Sequence, residues 1–142
     1  AQAYRTFAEE RLFRPAGVTS AFLEFDGGGT QIGGSIIHMS LDDWGRMGRL
    51  LLDGTGADGG QVIAPEWLAF LKTPASTKSN YGGHVWLSPG GLTSMRGHLG
   101  QFVFTGTRNG RSVVLVRLGK TQDGVLDPVQ ATMERIALLA LN

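Results

Sequence analysis

The sequence predicts an α/β protein of the α+β type: an antiparallel β-sheet flanked by helices. Three observations predict it. Asn109-Gly110 lies between two strand-forming runs, 101–108 and 111–118, the strongest short-range signal for a hairpin. Val113-Val114-Leu115-Val116 is apolar at successive positions, so that strand needs cover on both faces. Helical stripes over 41–52 and 129–141 can supply the cover. The expected order is helices, then antiparallel strands, then a closing helix.

Each element has its own signal. Tyr4, Phe7, Ala8 and Leu12 share a helical face, and Pro15 with Gly17 is expected to stop that helix. Residues 21–25 read as a short extended piece, followed by Asp26 and three glycines as a turn. Ser40 can cap the next helix, and Asp43 completes a capping-box pattern with it. Its apolar stripe is expected to be Leu41, Trp44, Met47, Gly48, Leu51 and Leu52, with Asp42, Asp43, Arg46 and Arg49 off it. Gly45 and Gly48 each cost about 1 kcal/mol relative to Ala inside a helix, which suggests close packing there. Pro65 opens a short helix through Leu71 and Pro74 closes it. Residues 75–80 form a polar loop, 81–87 read as a strand, and Pro89-Gly90-Gly91 as a turn. Segment 95–104 reads as an edge strand entered by a glycine-rich H-x-G-Q. In the last helix Asp127 caps, Pro128 starts, and Val129, Met133, Ile136, Ala137, Ala140 and Leu141 form the stripe.

Composition narrows the function classes. A net charge of +1 gives no electrostatic case for nucleic acid or anionic lipid. No apolar run approaches the roughly 18–20 residues of a membrane span. The absence of cysteine removes disulfides and thiolate metal sites, and the three histidines lack metal-ligand spacing, so no metal and no cofactor are expected. The glycine clusters lack the context of phosphate loops, so nucleotide binding is a poor fit. The chain starts Ala1-Gln2-Ala3, without the charged and apolar regions of a signal peptide, and reads as helix by Tyr4. It is therefore expected to have been cut from a longer protein.

Four stretches, in order, carry a family resemblance. They are Phe7-Ala8-Glu9-Glu10-Arg11-Leu12-Phe13-Arg14-Pro15-Ala16-Gly17-Val18, Gly34 to Gly48 with Asp43-Trp44-Gly45-Arg46, Tyr81-Gly82-Gly83-His84-Val85-Trp86-Leu87, and Gly97-His98-Leu99-Gly100-Gln101. Together they resemble the C-terminal part of the serine β-lactamase/penicillin-binding-protein-like hydrolases, most closely the class C branch with its esterases and 6-aminohexanoate-dimer hydrolases. The resemblance covers residues 4–141. It implies that 1–142 is the C-terminal portion of a single β-lactamase-like serine hydrolase domain.

The family mechanism needs a nucleophilic Ser in S-x-x-K, a Y-x-N or S-x-N element, and a K-T-G-like strand. The first two have no match here, nor does a G-x-S-x-G elbow. In the family they precede the matching segment, so the resemblance implies that they lie upstream. His98-Leu99-Gly100 would occupy the K-T-G position. The resemblance makes the Gln101 backbone N–H the candidate oxyanion donor, His98 a second catalytic candidate, and Leu99, Gly100 and Trp86 substrate-binding candidates. Without the Lys and Thr, a small ester or amide is favoured over a lactam.

The bland readings are a strand histidine at His98, a core Trp86, and dipole-stabilising acids at Asp42 and Asp43. The resemblance implies acyl-enzyme chemistry in the parent on an ester, amide or β-lactam, with a periplasmic or secreted setting, and a surface open to self-association where the rest was removed. The alternative is a non-catalytic binding or assembly module derived from the same fold.

Overall fold

A computed structural model describes residues 1–122 and 124–142. Helical backbone runs from Gln2 to Ala16, as α1 (Gln2–Ala8), a π-helical turn (Glu9–Phe13) and α2 (Arg14–Ala16). Pro15 does not end it: it lies within α2, directly after the π-helical turn. Gly17 ends it, in the left-handed conformation at φ 76°. The wide turn rotates the apolar face, so Ala8, Phe13 and Ala16 are buried whereas Tyr4 and Phe7 are exposed.

A two-stranded ribbon follows, β1 (Phe22–Leu23) against β2 (Ile37–His38). Ser40 caps α3 (Leu41–Asp53) by accepting from the Asp43 N–H at 3.2 Å, and Gly54 closes it at φ 79°. The stripe differs from the expected one. Leu41 is exposed, Leu50 is buried, and Asp43 is 1% exposed. Asp43 does not complete a capping box, because its carboxylate is bonded to residues 19 and 20 instead. Pro65 opens α4 (Pro65–Leu71) as predicted.

The main sheet has the order β3-β4-β5-β6, all antiparallel: β3 (Trp86–Ser88), β4 (Leu92–Gly97), β5 (Gln101–Arg108) and β6 (Arg111–Arg117). The expected strand over 81–87 is confined to its last residues. Gly82 donates to the Val85 carbonyl at 2.9 Å and His84 lies at φ 65°, which turns the chain there. Segment 95–104 is not one edge strand. It is the end of β4, a three-residue turn and the start of β5, because Leu99 (φ 57°) and Gly100 (φ 86°) both reverse the backbone. The Asn109-Gly110 turn is as predicted, with both residues at positive φ.

Helices cover both faces of the sheet. On one side Leu92, Phe102 and Phe104 pack against Ala137 of α5 (Leu126–Ala140) and Leu141 just after it. Asp127 and Pro128 lie inside the first turn of α5 rather than ahead of it, and Ile136 and Ala140 are exposed. On the other side α3 lies so close that a Cβ at Gly48 would sit 2.4 Å from Val114 Cγ1, while Gly45 faces open space. A second core joins Phe13, Ala16, Val18 and Leu23 to Leu50 of α3.

Candidate active site

The H-x-G turn projects from the β4–β5 end of the sheet. His98 is exposed, Leu99 half-buried and Gly100 buried. Four hydrogen bonds tie the turn and the start of β5 to Arg117, the last residue of β6, and to the segment that follows it. Arg117 donates through Nη1 to the Gly100 carbonyl, and the Thr121 N–H donates to the Leu99 carbonyl at 3.0 Å. The Gln101 side chain donates to the Gly119 carbonyl at 2.6 Å and accepts from the Gly119 N–H at 2.9 Å. A side chain at Gly100 has no room: its Cβ would lie 2.7 Å from Thr121 Oγ1 and 2.8 Å from Arg117 Nη1. This clamp was invisible in the sequence, because no local pattern links Gln101 to a residue 18 positions on.

The direction of the backbone groups follows from the hairpin. A two-residue turn closes on a hydrogen-bonded pair, here Arg108 and Arg111, and such pairs alternate along an antiparallel ladder. Counting back along β5, the N–H of Gln101 points toward β4, opposite Gly97. The N–H and C=O of Arg96 point the other way. β3 ends at Trp86, opposite Ser94, so no strand lies beside Arg96 on that side. The outward-facing backbone N–H at this corner of the sheet is that of Arg96.

Trp86 is not beside His98. It pairs with Ser94, four residues earlier, which at about 3.3 Å per residue is roughly 13 Å along β4. Its ring is flanked by Lys78 Nζ at 4.5 Å from the centroid and Arg96 Cζ at 4.9 Å, with Tyr81 edge-on at 5.0 Å. Arg96 also donates to Ser94 and Ser88 and pairs with Glu134 at 3.3 Å. Burial pushes the Arg96 guanidinium below its ordinary pKa, and Glu134 opposes that shift. The sequence offered no signal for this network, whose acid lies 38 residues from its base.

Asp43 is the most buried acid among the described residues. Its Oδ2 accepts from the Thr19 N–H (2.9 Å), the Ser20 N–H (2.7 Å) and Ser20 Oγ (2.6 Å), and Oδ1 accepts from Arg46. Burial alone would raise its pKa. The bonds from Ser20, Thr19 and Arg46 outweigh it and lower the value to about 2. Such a group is a fixed structural anion rather than a proton carrier at neutral pH.

The hydrogen-bonded serine hydroxyls meet Asp43, Glu134, Arg96, Thr107 and backbone amides. His38 pairs with Glu24 at the surface. Among the described residues no group of three or more His, Cys, Asp or Glu could hold a metal ion, and no helix is long and apolar enough to cross a membrane.

No family model matches the sequence, and no curated protein matches it. The fold does have a counterpart. It is similar to the crystal structure of a putative beta-lactamase from Bacteroides dorei DSM 17855, with a TM-score of 0.56 and 17% identity over 89% of this chain. The fold is β-lactamase-like. The chain spans 50% of the length of that protein, so this is a likeness to part of a β-lactamase-like fold. At this identity the likeness bears on architecture: helices on both sides of an antiparallel sheet.

Proposed function

We propose that this chain is the C-terminal part of a serine hydrolase that acts through an acyl-enzyme on an ester, amide or β-lactam. Its part would be to stabilise negative charge, the attacking serine being supplied by polypeptide outside residues 1–142. The observation that carries this reading is the clamped corner of the sheet at Arg96–Gln101. A developing oxyanion needs donors that are already in place before the reaction, each contributing about 2.7–4 kcal/mol of transition-state stabilisation. The four bonds from 117–121 hold the turn in place. Two backbone donors compete for the role. Gln101 follows the H-x-G, but its N–H is directed along the ladder toward Gly97. Arg96 has an outward N–H on an edge that β3 leaves open, and we favour it. His98, exposed in the turn, and half-buried Leu99 would then face the substrate, and the Trp86–Lys78 pair would form a more distant rim.

The test compares residues 1–142 with the same chain joined to whatever its gene encodes before Ala1. The chain alone should not turn over p-nitrophenyl acetate, because its sequence has no S-x-x-K serine. The joined protein should turn it over and be acylated on a serine. Robust turnover by residues 1–142 after every serine is replaced by alanine would overturn the reading. A folded joined protein that neither hydrolyses the ester nor becomes acylated would favour a binding or assembly module.

A further inference from the structure

We propose that the cavity between the end of α2 and α3 is a binding site for a phosphate group. It measures about 260 Å³ and is lined by Ala16, Arg46, Arg49, Thr55, Gly56 and Ala57. None of these residues belongs to the β4–β5 corner, and the site does not depend on the hydrolase reading. Spaced three apart on α3, Arg46 and Arg49 rise from neighbouring places on one face of the helix. Each guanidinium is fixed through one nitrogen. Arg46 donates through Nη1 to Asp43 Oδ1, and Arg49 donates through Nε to Thr55 Oγ1 at 2.9 Å. Among the described residues, no acceptor meets Nε and Nη2 of Arg46 or the two Nη atoms of Arg49.

The acceptors nearby are engaged elsewhere. Asp43 Oδ2 takes its bonds from Thr19 and Ser20, Asp53 Oδ1 accepts from the N–H and Oγ1 of Thr55, and Asp58 turns back onto the Gly60 N–H. Asp53 attracts Arg49 from beyond ion-pair distance. At the helix end, the carbonyls of Phe13, Arg14 and Pro15 accept from Val18, Gly17 and Ala57. The wall itself is set by backbone. A Cβ at Gly17 would lie 2.5 Å from Ala57 Cβ and 3.7 Å from Arg46 Cδ, and one at Gly56 would lie 2.2 Å from the Pro15 carbonyl oxygen. Only glycine lets loop and helix end close together behind the two arginines.

The donors describe the ligand. Two planar forks side by side offer more N–H groups than the two oxygens of a carboxylate can use. The terminal oxygens and double charge of a phosphate match them, and Arg binds such oxygens two at a time. The anion also relieves the repulsion between like charges one helical turn apart. The cavity is several times the share of one water, about 30 Å³, so it holds the group and the first atoms of whatever carries it. Free phosphate and a phosphate monoester share this chemistry.

Titration of the isotope-labelled chain, followed by NMR, tests the site. The probes are inorganic phosphate, phenyl phosphate and acetate, at fixed ionic strength and about pH 7.5, where a phosphate is mostly doubly charged. Both phosphates should shift the amides of Thr55, Gly56 and Ala57 and the Nε–H signals of Arg46 and Arg49, and the shifts should saturate. Acetate at the same concentrations should not move them. Tighter binding of phenyl phosphate would assign the site to a monoester, and equal binding to free phosphate. Arg49→Gln should weaken phosphate binding by roughly tenfold or more. Arg46→Lys keeps a cation for Asp43 but loses the fork. It should also weaken binding while the Thr19 and Ser20 amides, which report the Asp43 anchor, keep their positions. Equal shifts with acetate would overturn the site, and so would phosphate affinity unchanged in both variants, since either result would mean a diffuse ion atmosphere around exposed cations.

Discussion

The side-chain amide of Gln101 and the peptide of Gly119 exchange two hydrogen bonds, closing a ring across 18 residues of chain. The side chain of Gln101 is thus the rivet between the H-x-G turn and the β6–α5 connection. Gln101→Ala leaves both Gly119 groups without their partner, at a cost of about 1–3 kcal/mol. Gln101→Glu keeps the acceptor for the Gly119 N–H but sets a carboxylate oxygen against the Gly119 carbonyl. Both variants should unfold at lower urea than the parent, with an unchanged slope.

Asp43 makes stability depend on acid. Its folded pKa of about 2 lies below the ordinary 3.8, so its contribution is complete above about pH 4 and is lost as pH falls toward 2. The shift corresponds to about 2 kcal/mol. Asp43→Asn should be less stable than the parent at pH 7 and should lose this part of the decline between pH 4 and 2. A parent and variant with parallel pH–stability curves would show that the Ser20 and Thr19 bonds do not hold the ionised form.

Two glycines of α3 should respond in opposite directions. Gly45 faces open space, so Gly45→Ala should stabilise by up to about 1 kcal/mol through helix propensity. At Gly48 the new Cβ would meet Val114 Cγ1 at 2.4 Å and Val103 Cγ1 at 2.8 Å, both on stiff β-branched side chains. Gly48→Ala should destabilise by about 1–3 kcal/mol in spite of the same propensity gain. Thermal melts of the pair read the difference directly.

Gly100→Ala combines strain with collision. Positive φ costs an ordinary residue about 1–2 kcal/mol, as Gly59→Ala at φ 82° in open space should show. At Gly100 the Cβ also strikes Thr121 Oγ1 and the Arg117 guanidinium. The loss should clearly exceed that of Gly59→Ala, and amide exchange at 119–121 should quicken as the clamp opens. Equal losses for the two variants would show that the clamp gives way without cost.

The helix cap at Ser40, the start at Pro65 and the Asn109-Gly110 turn were legible because each depends on residues within a turn of one another. The need to cover Val113–Val116 on both faces was legible for a similar reason, since it is stated by consecutive side chains. The stripe of α3 was legible only in part: periodicity gives a face but not its edges, and whether Leu41 or Leu50 is covered depends on where β5, β6 and the first core lie.

The sequence by itself determined most of the elements, the hairpin and the α+β class, because turn chemistry, caps and periodicity act over a few bonds. Tertiary structure alone decided that 95–104 folds back as a hairpin, that Asp43 is buried on Ser20, that Arg96 shares Glu134, and that Gln101 is riveted to Gly119. In the last three cases the partners lie 18 to 38 positions apart. Desolvation and the strand that happens to run alongside choose such partners, and neither is a property of a local stretch of chain.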